Sequence, residues 1–130
     1  VYKKKKLNNL EKKIFIKKNI QNPFPYIKKS DAFVLSSKYE GLPNVILEAI
    51  VLNKFIISSD CPTGPTEILD NGKGGLLFKT DNFNDLSQKI SFYIKNKKKC
   101  NNKIKFAKKR INRFDYQINL NKYLNIINET

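Results

Sequence analysis

SDAFVLSSKYEGLPNVILEAIVLNKFIISSD, residues 30–60, holds two short apolar runs with a longer one between them. AFVLS (Ala32 to Ser36) and FIIS (Phe55 to Ser58) are four or five residues long, rich in β-formers and bounded by polar residues. Such runs suit buried strands. The stretch between them predicts a helix over 43–52, with Pro43 at the first helical position, where its missing N–H costs nothing. Strand, helix, strand in so short a span implies a parallel pair joined by a crossover. Outward from this unit, IFI (Ile14 to Ile16) and GLLF (Gly75 to Phe78) read as two further strands. NPFPY (Asn22 to Tyr26) reads as a turn, because two prolines bar a regular element there. Four strands alternating with helices predict an α/β fold, an open parallel sheet flanked by helices. After Asp81 the pattern is helical: Phe83, Leu86, Ile90 and Ile94, then Ile104, Phe106 or Ala107, and Ile111, then Tyr116 to Ile127. The first ten residues read as the tail of a basic helix. PTEILDN reads as a short helix closed by Asn71 and Gly72.

The chain's 130 residues suit one domain, and 40% hydrophobic residues suffice for a core. No run approaches the roughly 18 apolar residues of a membrane span. Methionine is absent even at position 1, which reads as a piece of a longer frame. The formal charge of +15 raises nucleic-acid binding, but only Arg110 and Arg113 are arginines, the side chain that bidentate recognition favours. Lysine, asparagine and isoleucine together are what an AT-rich genome encodes by default. No nucleic-acid partner is expected, whereas diffuse attraction to an anionic membrane surface needs nothing more specific than lysine. Histidine is absent, and Cys61 and Cys100 lack metal-type spacing. That excludes histidine catalysis and the commonest zinc site, and two lone thiols suggest a reducing cytoplasm.

EGLPNVILE (residues 40–48) starts and ends on a carboxylate. Nearly every neighbour of Glu48 on the helix is aliphatic, which predicts a buried charge needing a hydrogen-bonding partner. Either backbone N–H groups of a neighbouring loop supply it, or a ligand diol does. Glu40 precedes Gly41 in the loop after a strand, where ligands of parallel sheets bind. Gly41 would allow a sharp turn and close approach of a ligand. Free N–H groups around Asn44 and Val45, at the helix start, suit a phosphate.

YEGLPNVILEA resembles the E-x7-E signature of retaining glycosyltransferases of family 4, which have the GT-B fold. NPFPYIKKSDAFVLSS, ISSDCPTGPTEILDNGKGGLLF and DNFNDLSQKI agree with that family in order and spacing, so the resemblance spans about Ile14 to Ile94. It implies a Rossmann-like C-terminal donor-binding domain, partial over 1–113, followed by a return helix over 114–130. It also implies transfer of a sugar, with retention, from a nucleotide-sugar (a UDP-sugar) to a glycan or lipid-linked acceptor. By that resemblance Glu40 lies against the transferred sugar as the catalytic residue and Glu48 contacts the ribose. The backbone of Gly41, Leu42, Pro43 and Asn44 lines the diphosphate and sugar. No metal or other cofactor is implied. The setting implied is the cytoplasm or the inner face of the cytoplasmic membrane. SDCPTGPTEI is further similar to enzymes that build lipid-linked or lipopolysaccharide glycans.

The chain departs from the family in three ways. It lacks the N-terminal Rossmann-like domain that holds the acceptor, and the family's Arg/Lys pair on the diphosphate lies upstream of it. Lys18 stands where members often carry glycine near the base. Fixed cations at a leaving diphosphate are a large catalytic term, so the isolated chain is expected to be inactive. A non-catalytic binding module, or a subunit pairing with a separate N-terminal half, is the alternative.

Overall fold

The computed structural model describes residues 13–128. Its sheet has three parallel strands in the order β1 (Ala32–Leu35), β2 (Phe55–Ser59), β3 (Leu76–Phe78). Ala32 stands beside Phe55 and Leu35 beside Ser58, while Ile57 and Ser59 pair with Leu76 and Phe78. All five residues of β2 are buried, which is why the central strand reads as a continuous apolar run ending in two serines.

Helix α1 (Phe24–Lys29) precedes β1, α2 (Asn44–Val51) links β1 to β2, and α3 (Pro65–Ile68) lies between β2 and β3. Three longer segments follow: α4 (Phe83–Lys95), α5 (Lys97–Arg110) and, after the 3-10 turn Ile111–Phe114, α6 (Tyr116–Asn128). Alternate residues of β2 build two cores. Ile56 joins Ile27, Ile46, Ala49, Ile50, Ile68, Leu69 and Ala107, with Ile111 packed against them. On the other face Phe55 and Ile57 meet Phe78 and Cys100, covered by Leu86, Ile90, Tyr93 and Ile104. Cys61 and Cys100 are both buried free thiols, and burial raises the pKa of Cys100.

Four expectations need correction. Ile14 to Ile16 form no strand: they lie unpaired, with Phe15 83% exposed, because no described strand runs beside them. NPFPY is no simple turn, since Pro25 falls in the first turn of α1, where no intrahelical N–H is needed, and Pro23 caps it. Pro43 is the cap of α2 rather than its first residue. Phe83 and Ile94 keep the helical period of α4 yet are exposed, at 78% and 62%, and Tyr93 takes the packed position instead. The expected basic helix over the first ten residues lies outside the described residues.

The ends of the helices follow from their sequences. The Asn82 side chain accepts the Asp85 N–H at 2.9 Å to start α4. Asp115 does the same for Ile118 in α6, at 3.0 Å. The helix read over PTEILDN stops at Ile68, and Asp70, Asn71 and Gly72, all with positive φ, close the turn that follows it. No helix among the described residues is long and apolar enough to cross a membrane.

Candidate functional site

In a parallel sheet every strand delivers its following loop to the same edge, so residues 36–43, 60–64 and 79–82 gather at one end. Hydroxyl groups then join these loops. Ser59 Oγ donates to the Ser37 carbonyl at 2.6 Å, tying the end of β2 to the loop after β1. Thr63 Oγ1 donates to the Glu40 carbonyl at 2.5 Å, and Thr66 Oγ1 to the Asp60 carboxylate at 2.5 Å. Lys38 pairs with Asp81 at 2.7 Å, linking the loops after β1 and β3. The hydrogen bond and charge of Asp81 raise the Lys38 pKa, though the pair is exposed and worth little in stability.

The loop after β2 comes close to the loop after β1 at a glycine. Gly64 has φ +69°, and a Cβ there would collide with the Gly41 carbonyl oxygen and lie 2.5 Å from Pro43 Cδ. The CPTGP loop therefore seats against the backbone of residues 41–43 only because position 64 has no side chain. Gly41 itself meets no such constraint: its φ is not positive, and a Cβ on it would point into open space. The conformational freedom expected at Gly41 is required at Gly64 instead. A glycine next to a proline in a loop opposite another glycine was the available signal.

Helix α2 rises from this edge. Ile46, Ala49 and Ile50 face the core, while Asn44 and Val45 are exposed and Val51 is 54% exposed. Glu48 is half-buried on that open face, not buried among aliphatic residues. Helix geometry explains the correction: positions 44, 48 and 51 share one side, and the aliphatic neighbours that seemed to surround Glu48 mostly point elsewhere. Among the described residues no donor hydrogen-bonds to the Glu48 carboxylate, so the local-loop alternative is not realised there. Helical side chains lean toward the N-terminus, so Glu48 tilts toward the turn that begins at Asn44.

The first N–H of this turn to find a backbone acceptor is that of Ile46, bonded to Pro43 at 2.9 Å. Those of Asn44 and Val45 have no partner among the described residues, and no side chain caps the helix. Two unpaired donors at the positive end of a helix dipole form an anion-attracting position. Glu40 is half-buried and Pro43 buried, while Leu42 is 48% exposed. The edge thus brings together Glu40, the backbone of Gly41 to Asn44, and the Glu48 face of α2. No cluster of three metal-ligating side chains exists among the described residues. A shallow pocket of about 390 Å³ lies further along the same edge, lined by Asp60, Leu77, Phe78, Lys79, Thr80 and Asp85.

Four likenesses bear on this geometry. The family described as "Glycosyl transferases group 1" matches residues 2–110. An uncharacterized glycosyltransferase of Methanocaldococcus jannaschii is 47% identical over 51% of this chain, which is 18% of that protein. The N,N'-diacetylbacillosaminyl-diphospho-undecaprenol alpha-1,3-N-acetylgalactosaminyltransferase of Campylobacter jejuni is 38% identical over 77% of this chain and 26% of its own length. Among solved structures, TarM superposes with a TM-score of 0.79 and 26% identity over 92% of this chain, again only 24% of TarM. The chain thus spans about a quarter or less of these relatives.

Proposed function

The chain belongs to the Glycosyl transferases group 1 family, and from that membership we propose that it is the donor-side part of a retaining, family 4 glycosyltransferase. The three-stranded sheet and its helices are a Rossmann-like portion of a GT-B fold. The donor is a nucleotide sugar, a UDP-sugar, and the acceptor a glycan or lipid-linked glycan, the latter in keeping with the diphospho-undecaprenol in the name of the Campylobacter relative. Retention, the UDP-sugar and the E-x7-E roles belong to this reading. So do the division at residues 113 and 114 and the absence of any metal or cofactor.

One observation carries the reading: between Glu40 and the half-buried Glu48 lies a helix start that, like the Glu48 carboxylate, has no hydrogen-bond partner among the described residues. The N–H groups of Asn44 and Val45 take a diphosphate oxygen, at a helix end that favours negative charge. One turn along, Glu48 accepts hydrogen bonds from the vicinal hydroxyls of the ribose. Glu40 stands at the other side of the phosphate, against the transferred sugar, where a carboxylate helps stabilise the positive charge that develops as the diphosphate leaves. The open space over Gly41 leaves room for that sugar. The opposing cations and the facing domain are supplied by the rest of the enzyme, and the isolated chain transfers no sugar.

UDP is expected to raise the thermal midpoint of the chain as its concentration increases. Ligand at a hundredfold above its dissociation constant adds about 2.7 kcal/mol. Glu48→Ala removes that shift while leaving the unliganded midpoint nearly unchanged, because the side chain makes no hydrogen bond among the described residues. A fluorimetric melting series with UDP, other nucleoside diphosphates and uridine checks this. A midpoint indifferent to every nucleotide removes the reading.

A second reading, a subunit that pairs with a separate N-terminal half, is favoured by α6. That helix packs chiefly on the 3-10 turn and leaves Tyr116, Tyr123 and Leu124 exposed, at 71%, 68% and 46%. It predicts concentration-dependent self-association in sedimentation velocity that disappears when residues 116–130 are deleted. An unchanged association state after deletion counts against it.

A further inference from the structure

Abundant lysine is what composition alone supplies, but its distribution is not. Residues 31–85 carry eight carboxylates and four lysines, whereas residues 86–128 carry twelve lysines and arginines and a single carboxylate, Asp115. A compositional background would leave both stretches mixed. The fold converts this segregation into a polarity of the domain. Glu40, Asp60 and Asp81 lie at the edge where the strands end. Helix α5 runs past the opposite edge, where the strands begin: Lys97 pairs with Asp31 at 3.2 Å, just before β1, and Lys103 donates to the Gly72 carbonyl before β3. Ala107 packs against Gly74, and Lys108 reaches the Val51 carbonyl at the end of α2, at 2.7 Å. Lys28 and Lys29, at the end of α1, are exposed near this edge, where Lys54 donates to the carbonyls of Lys28 and Ser30.

On α5 the buried positions are Cys100 and Ala107, with Lys103 and Ile104 half-buried. The outward side therefore presents Lys98, Asn102, Lys105 and Lys109, all exposed, at helical spacing. The side chains of Lys98, Lys105 and Lys109 have no ion pair or hydrogen bond among the described residues, and α5 contains no acidic residue. Lys105 and Lys109 stand four residues apart, where like charges destabilise a helix. An anionic surface would relieve that repulsion.

We propose that this basic edge, centred on Lys98, Lys105 and Lys109, is a docking surface for anionic phospholipid headgroups. It would hold the domain on a membrane with the strand-end loops facing away from the lipid. Lysine suits such a surface because a headgroup layer needs only diffuse positive charge. A nucleic acid would favour arginine and stacked aromatic rings, and the exposed residues between these lysines include Asn101 and Asn102 rather than aromatics. The proposal is independent of the donor site, so loss of nucleotide binding leaves it standing.

The test is co-sedimentation of the full chain with vesicles of phosphatidylcholine alone or mixed with phosphatidylglycerol. Binding is expected only with phosphatidylglycerol, weakening as salt rises. The double variant Lys105→Gln/Lys109→Gln should bind about thirtyfold more weakly, and Lys105→Arg/Lys109→Arg should bind like the parent. Lys38→Gln/Lys79→Gln removes the same charge from the opposite, strand-end edge and should change binding by less than about threefold. Three results overturn the proposal: no binding to phosphatidylglycerol vesicles, equal weakening by both Gln pairs, or binding to homopolymeric RNA but not to vesicles.

Discussion

Replacing Gly64 by alanine is expected to destabilise the chain by about 3 kcal/mol or more, among the largest effects of any single methyl group in it. Two costs add. The backbone at position 64 has φ +69° and ψ −76°, a region that L side chains rarely adopt and whose strain runs to about 1–3 kcal/mol. The new Cβ would also collide with the Gly41 carbonyl and crowd Pro43 Cδ, both parts of a backbone held in place by other contacts. Pro43 is buried and caps α2, while Thr63, the residue before the glycine, is bonded to Glu40. The chain cannot relax there without moving the loop that carries Glu40, or the start of α2. A lower urea midpoint at unchanged slope, together with loss of any UDP-induced stabilisation, is the expected outcome. Gly41→Ala, whose Cβ meets open space, should leave the midpoint within about 1 kcal/mol of the parent. Equal destabilisation by the two substitutions would refute the assignment of the constraint to Gly64.

Where the sequence was legible, the signal was local. AFVL and FIIS form strands because short apolar runs of β-formers have few alternatives once flanked by polar residues. The α2 segment was placed within a residue of its observed ends, and GLLF lost only Gly75, at which a Cβ would stand 2.7 Å from the Ile56 carbonyl. What was not legible depends on neighbours. Ile14 to Ile16 have the composition of a strand, yet a strand exists only where another offers hydrogen bonds, and none is described beside them. Glu48 looked buried because its sequence neighbours are aliphatic, but burial depends on which helix face meets the core. The residue pairs Ser59 with Ser37, Thr63 with Glu40 and Lys38 with Asp81 join loops far apart in the chain, and no periodicity encodes them. The two glutamates were singled out because a motif marks them. The Gly64 seat that fixes their loop was not, because it is a contact between two backbones.

Phe55→Ala is expected to cost about 3–5 kcal/mol, the range for emptying an aromatic site in a packed core. Phe55 is fully buried at the start of β2. Its ring stacks on Tyr93 with centroids 4.6 Å apart and planes 6° apart, an arrangement that adds to simple burial. Tyr93 has little freedom to fill the space, because its hydroxyl donates to the Asp31 carbonyl at 2.8 Å on the strand side. That bond holds the end of α4 to the start of β1, so the cavity would loosen the joint from which α5 departs. Phe55→Leu keeps most of the volume and should cost less than about 1.5 kcal/mol. Because the chain has no tryptophan, the near-ultraviolet circular dichroism arises largely from tyrosine, and Phe55→Ala should weaken it as the Tyr93 ring loses its stacked partner. Set against a typical domain stability of about 5–15 kcal/mol, the alanine variant would be unfolded or nearly so at moderate urea. A urea midpoint close to that of Phe55→Leu would mean that the α4 side of the sheet is not a tightly packed core.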